Sequence, residues 1–180
     1  MTDARISDRY SRASVAMHWV MVLAFVVVYA AINAMDWFDK GTAARQIAKN
    51  IHFSFGLLVL VLVCLRVVFR LRGSTPAIVP APPAYQEKLG HLVHLALYGL
   101  MIAMPLLGWS VLSASGKAIP FFGLDLPALL PLDKPFGRQL RDLHELGGNL
   151  GYLLIGGHAA AALLHHYLVK DNTLRRMWFR

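Results

Sequence analysis

Four long apolar stretches decide most of what this chain can become. Ala13–Met35 runs for 23 residues without an Asp, Glu, Lys or Arg. Ile51–Phe69 is broken only by Arg66, near its end, where a long side chain reaches back to the headgroups; Leu89–Leu112 and Leu146–Val169 again carry none of the four types. A helix crosses the bilayer core with about 20 mostly apolar residues. Only a helix satisfies its own backbone there without a closed barrel. The predicted fold is therefore all-α, an integral membrane four-helix bundle with spans at about 13–35, 51–69, 89–112 and 146–169, one domain over 1–180. The first run exceeds the roughly 7–15-residue core of a signal peptide and holds His18 near its start, so it reads as a retained helix.

Composition agrees. Only 16% of residues are charged and 57% are hydrophobic, against about 25% charged in soluble domains. That excludes a disordered chain, a nucleic-acid-binding tail and a disulfide-stapled module, and Cys64 is alone. The formal charge of +8 is a topology signal. With four spans, both termini share a side with the proline-rich connector Gly73–Gln86. That side carries eleven basic and four acidic residues, and the other seven and six. The positive-inside bias places both termini in the cytoplasm. The longest piece between spans, 113–141, is rich in Phe, Leu and Pro and is expected to lie along the interface. Trp19, Trp37 and Trp109 are plausible interface anchors.

Eight histidines are the informative polar residues, because polar groups at membrane depth are expensive and mark function by default. His18 lies just inside the first helix, His52 opens the second, His91 and His94 open the third, and His144 opens the fourth. His158 follows His144 by fourteen residues, which brings the side chain back to within about 40° of its starting direction and about 21 Å further along the axis. His165 lies seven residues on, within about 20°, and extends the same stripe; His166 points away. Helix 4 thus offers imidazoles at an outer and an inner level. His52 is available opposite the outer one, and His18, His91 or His94 opposite the inner one. Facing pairs at two depths are what two bis-histidine b-type haems need. Gly56, Gly147, Gly148, Gly151, Gly156 and Gly157 offer space beside these positions. Taken singly, a histidine at a span end is ordinarily interfacial, and membrane glycines ordinarily mark helix packing. Zinc is the weaker reading, since no HExxH, CxxC or carboxylate-rich cluster accompanies the histidines.

Four blocks of sequence carry a family resemblance: MHW in the first helix, IHFSFG opening the second, GHLVHLALYG opening the third, and LHELGGNLGYLLIGGHAAAALLHHYLVKDNTLRRM at the end. Through them the chain resembles the prokaryotic cytochrome b-561 family over nearly its whole length, closest to the superoxide-oxidising (superoxide:ubiquinone oxidoreductase) branch. The resemblance implies two haem b groups, His18 and His158 binding the cytoplasmic-side haem and His52 and His144 the periplasmic-side haem. It also implies a multi-pass protein of the bacterial inner membrane that oxidises superoxide and reduces ubiquinone.

On that expectation His165, one layer inward on the stripe, is the quinone contact. Arg45 and Arg141, with Lys49 and Arg138, flank the outer ligands and either steer superoxide or pair with haem propionates. His91 and His94 are divided between quinone, propionate and interfacial roles. The competing expectation is a cytochrome b anchor that links a separate redox partner protein to the quinone pool. Membrane lipid is the remaining partner, and no nucleic acid is expected.

Overall fold

The computed structural model describes residues 9–179, and its four long helices are each apolar enough to cross a membrane. Helix α1 is Arg12–Ala34, opened by Ser11, whose hydroxyl accepts the Ser14 N–H. Helix α2 is Ala43–Arg72, opened by Thr42 capping Arg45 N–H. Helix α3 is Ala84–Ala114, with Pro105 inside it. Helix α4 is Lys134–Leu164, capped by Asp133 on Phe136 N–H and continued by a π-helical turn, His165–Val169. A short-side-chain acceptor at each of these three N-caps satisfies a donor the helix itself cannot.

Each helix begins before its apolar run. Helix α4 begins at Lys134, twelve residues before the expected span, and takes up much of the 113–141 segment. The rest of that segment has structure of its own. Pro120–Phe121 pairs antiparallel with Leu124–Asp125 in a small hairpin, which leans on α2. Buried Ser54 donates to the Pro120 carbonyl at 3.3 Å and accepts the Phe122 N–H at 3.1 Å, and the Phe55 and Phe122 rings meet edge-on. Trp109 Nε1 donates to the Pro127 carbonyl. The backbone polar groups of the hairpin thus find partners on α2, so the segment folds back over one end of the bundle.

Helix α1 packs along α2, α3 along α4, and α2 against α3, whereas α1 and α4 hardly approach each other. One buried cluster joins Met21 and Ala24 of α1, Val59, Leu62 and Val63 of α2 and Met101 of α3. A second joins Leu57, Leu112 and Ile119 under the hairpin. Across the α1–α4 gap the link is polar: Tyr29 O–H donates to the Gly148 carbonyl at 3.0 Å, and Asn33 Nδ2 reaches the Tyr152 hydroxyl. The Tyr29 and Tyr152 rings lie 4.3 Å apart. Replacing Tyr29 with Phe removes that bridge. The expected loss is about 0.6–1 kcal/mol, as membrane interhelical hydrogen bonds measure, read as a melting temperature a few degrees lower in detergent. An unchanged melting curve would assign the contact no stabilising role.

The opposite end is tied together by the C-terminal segment. Asn172 accepts the Val79 N–H at 2.8 Å and donates to the Ala77 carbonyl, while buried Arg176 donates to the Pro76 carbonyl. Trp19 Nε1 donates to the Met177 carbonyl at 2.9 Å. Trp19, Trp178 and Phe179 line an apolar cavity of roughly 180 Å³ at this terminal end. The end that carries the hairpin is called the loop end below.

Candidate haem sites

Two imidazole pairs sit at two levels of the bundle. At the loop end, His52 of α2 faces His144 of α4 with ring centres 6.2 Å apart and planes at 85°. At the terminal end, His18 of α1 faces His158 of α4 with centres 6.4 Å apart and planes at 75°. All four rings are half-buried. His144 and His158 lie fourteen residues apart on one continuous helix, which separates the levels by about 21 Å.

The rings are held at their Nδ1 edges where partners exist. His52 Nδ1 lies 3.1 Å from the Val28 carbonyl. A carbonyl only accepts, so Nδ1 carries the proton and Nε2 keeps its lone pair. His144 Nδ1 is buried with no partner in hydrogen-bond geometry, although the Met104 carbonyl bears on it. A Cβ on Gly108 would stand only 3.2 Å from the His144 ring, so α3 passes the His144 face of α4 at a glycine.

The other candidates are placed as follows. His94 joins the inner level, its ring centre 5.2 Å from that of His158 and its Nδ1 donating to the Gly90 carbonyl at 2.6 Å. His91 is exposed. Arg66, expected at the headgroups, is half-buried with its charge bearing on His18 and His158. Arg45 donates to the Met35 and Phe38 carbonyls and lies 3.9 Å from Asp36, so its guanidinium closes the end of α1. Arg141 and Arg138 are exposed on the first turns of α4, and Lys49 is half-buried on α2. His165 pairs with Asp171, which sequence reasoning missed; the signal was its place in the quoted LVKDNTLRRM run.

The glycines divide into two kinds. An added Cβ on Gly147 would collide with Met104 and one on Gly151 with the Tyr29 hydroxyl, so these are close-packing positions. Gly148, whose carbonyl receives the Tyr29 hydroxyl, lies at ordinary contact distance from Met104. An added Cβ on Gly56, Gly156 or Gly157 would meet nothing within 4 Å, which leaves room near His52 and His158.

A family model for prokaryotic cytochrome b561 matches residues 9–180. The chain belongs to the prokaryotic cytochrome b561 family. It is 38% identical to cytochrome b561 homolog 1 of Escherichia coli over 170 residues, covering 94% of this chain and 97% of that relative. It is also 38% identical to the probable superoxide oxidase CybB of Yersinia pestis over 172 residues, covering 94% and 95%. Cytochrome b561 homolog 2 of Escherichia coli is 29% identical over 192 residues, covering 98% and 95%. Cytochrome b561 proteins carry b-type haem and transfer electrons in membranes, and this chain is a multi-pass member.

The residues fit such a group. A metal held in line between two imidazoles, about 2 Å from each nitrogen, sets the ring centres about 6.3 Å apart. Both the His52–His144 and the His18–His158 separations match that value. The 5.2 Å between His94 and His158 falls short of it. No group of three or more His, Cys, Asp or Glu suited to a bare metal ion occurs among the described residues.

Proposed function

We propose that this cytochrome b561 is a dihaem superoxide:ubiquinone oxidoreductase of the bacterial inner membrane, with both termini in the cytoplasm. His52 and His144 would hold one haem b near the periplasm, and His18 and His158 the other near the cytoplasm. The reading rests on one observation above others: two facing imidazole pairs, with ring centres 6.2 and 6.4 Å apart, at two levels of one bundle. The superoxide assignment is supported by the likeness to the Yersinia relative over nearly the full length of both chains.

Bound there, the haems supply one-electron transfer, so that two superoxide anions become two dioxygen molecules and one quinone takes up two electrons and two protons. The chain supplies placement. The Val28 carbonyl fixes the tautomer of His52 and so the nitrogen it presents. Arg66 brings a positive charge to the inner pair, suited to a porphyrin carboxylate. At the outer face the exposed Arg141 is the better steering residue, because Arg45 is engaged in closing α1. His165 is the quinone contact.

The test starts from oxidised, haem-loaded protein in detergent. Mixing with superoxide should reduce the haem within the mixing experiment and without another protein; reduction only on adding a partner protein would replace this reading with the anchor cytochrome. Arg141→Glu should slow that reduction about tenfold at low salt and flatten its dependence on ionic strength. A rate equal to the parent's at every salt concentration would remove Arg141 from the steering role.

A further inference from the structure

Beyond the paired imidazoles, the described residues contain one pair of a buried carboxylate and an imidazole, at the foot of α4. Asp171 is 2% exposed, and its Oδ2 lies 2.5 Å from His165 Nδ1. Its other oxygen accepts the Thr173 N–H at 2.8 Å, so the carboxylate has no freedom to swing. Burial opposes its ionisation, but the hydrogen bonds from His165 and Thr173 outweigh burial and hold the carboxyl below its usual range.

The backbone is shaped to make this contact. The π turn over His165–Val169 widens the last turn of α4, and Lys170 enters the left-handed region at φ 60°, a conformation ordinarily left to glycine. Together they fold Asp171 back until its N–H reaches the His165 carbonyl at 3.2 Å. The next residues are anchored on the connector through Asn172 and Arg176. The carboxylate is therefore delivered to Nδ1 by an anchored segment, while the ring itself remains partly exposed.

We propose that Asp171 is a positioning residue for quinone reduction, holding His165 with Nδ1–H on its carboxylate and Nε2 turned to a quinone oxygen. This rests on the quinone-reducing function proposed above. In the step, an Nε2–H bond of the protonated ring breaks as an O–H bond forms on the reduced quinone. The ring, neutral again, takes its next proton from water. Two such transfers complete the hydroquinone, and its two electrons come from two superoxide anions. The carboxylate stabilises the ring's positive charge and sets which nitrogen faces the substrate.

Two substitutions separate chemistry from mere stapling. In Asp171→Asn the side chain has one oxygen for two N–H donors. With that oxygen on Thr173, its NH₂ faces Nδ1 and drives the ring proton to Nε2. In His165→Asn the Nδ2 amide takes the place of Nδ1, so the bond to Asp171 survives while Nε2 is lost. Haem-loaded wild type and both variants are reduced chemically and mixed with a short-chain ubiquinone analogue, and haem reoxidation is followed in the visible band. Each variant is expected to reoxidise about 10²-fold more slowly, the usual scale of a lost general acid, with superoxide-driven reduction unchanged. In Asp171→Asn, kcat for the quinone should fall more than KM rises. The ¹⁵N resonances of His165 should show the other tautomer, and Asp171→Glu should recover part of the rate. Should Asp171→Asn fail to fold, Asp171→Glu decides, through its quinone rate and the ¹⁵N tautomer of His165. Wild-type rates in the folded variants would overturn the proposal. Wild-type protein that the quinone cannot reoxidise would instead overturn the functional reading on which it rests.

Discussion

Changing His144 to alanine is expected, on the dihaem reading proposed above, to lower the haem content from two per chain to one and to leave the spectrum of the inner group in place. His144 and His158 lie about 21 Å apart on α4, and each faces its own partner on another helix. The Tyr29–Gly148 bridge and the Tyr29 hydroxyl packed at Gly151 lie between them. Nothing at one pair is therefore needed to shape the other. Pyridine haemochrome content against protein concentration measures the stoichiometry, and His52→Ala should give the same value. Loss of both groups in each of these variants would mean that the sites form only together. Two groups retained in either would mean that its imidazole is not an axial ligand.

Gly56→Leu is expected to abolish outer haem binding without destabilising the polypeptide. Gly56 follows His52 by one helical turn and so shares its face, and an added Cβ there meets no atom within 4 Å. The first carbon of a leucine enters that room without a clash, so the usual overpacking cost of about 1–3 kcal/mol is expected to be small. The side chain instead occupies the space a porphyrin needs beside His52. The apoprotein's melting temperature should be unchanged or higher, while haem content falls towards one. A leucine variant that keeps both groups would show that this face of α2 looks elsewhere.

The spans were legible because a bilayer imposes one requirement, about 20 apolar residues per crossing, and uncharged runs declare it directly. Helix ends were not, since beyond the hydrocarbon the requirement lapses. Lys134–Glu145 mixes both charge signs, yet Asp133 as cap and Pro135 in the first turn were readable signs of a helix start. On α4 the two levels of histidine followed from helical periodicity alone. The choice among His18, His91 and His94 as the facing residue did not, because it depends on how helices are placed across the bundle. In the structure the ring spacing at His18 is the one that suits a shared metal. The glycines were read as one class and are two: Gly151 admits the Tyr29 hydroxyl, and Gly56 borders open room. Arg45 reads as a surface charge until the chain reverses after α1 and brings two carbonyls to it. Asp171 was hidden for a similar reason, since a residue past a helix end meets that helix again only through the left-handed turn at Lys170.

The pairing of α1 with α2 and of α3 with α4 has a consequence for how the protein is made. The first hairpin brings His18 and His52, the second His144 and His158, and each imidazole pair takes one member from each half. A ribosome that has released only the first two helices into the lipid has produced half of both proposed sites and a whole of neither. On the ligand set proposed above, haem would bind only after translation of the fourth helix, and at the His18–His158 pair it would join α1 to α4, which hardly approach each other.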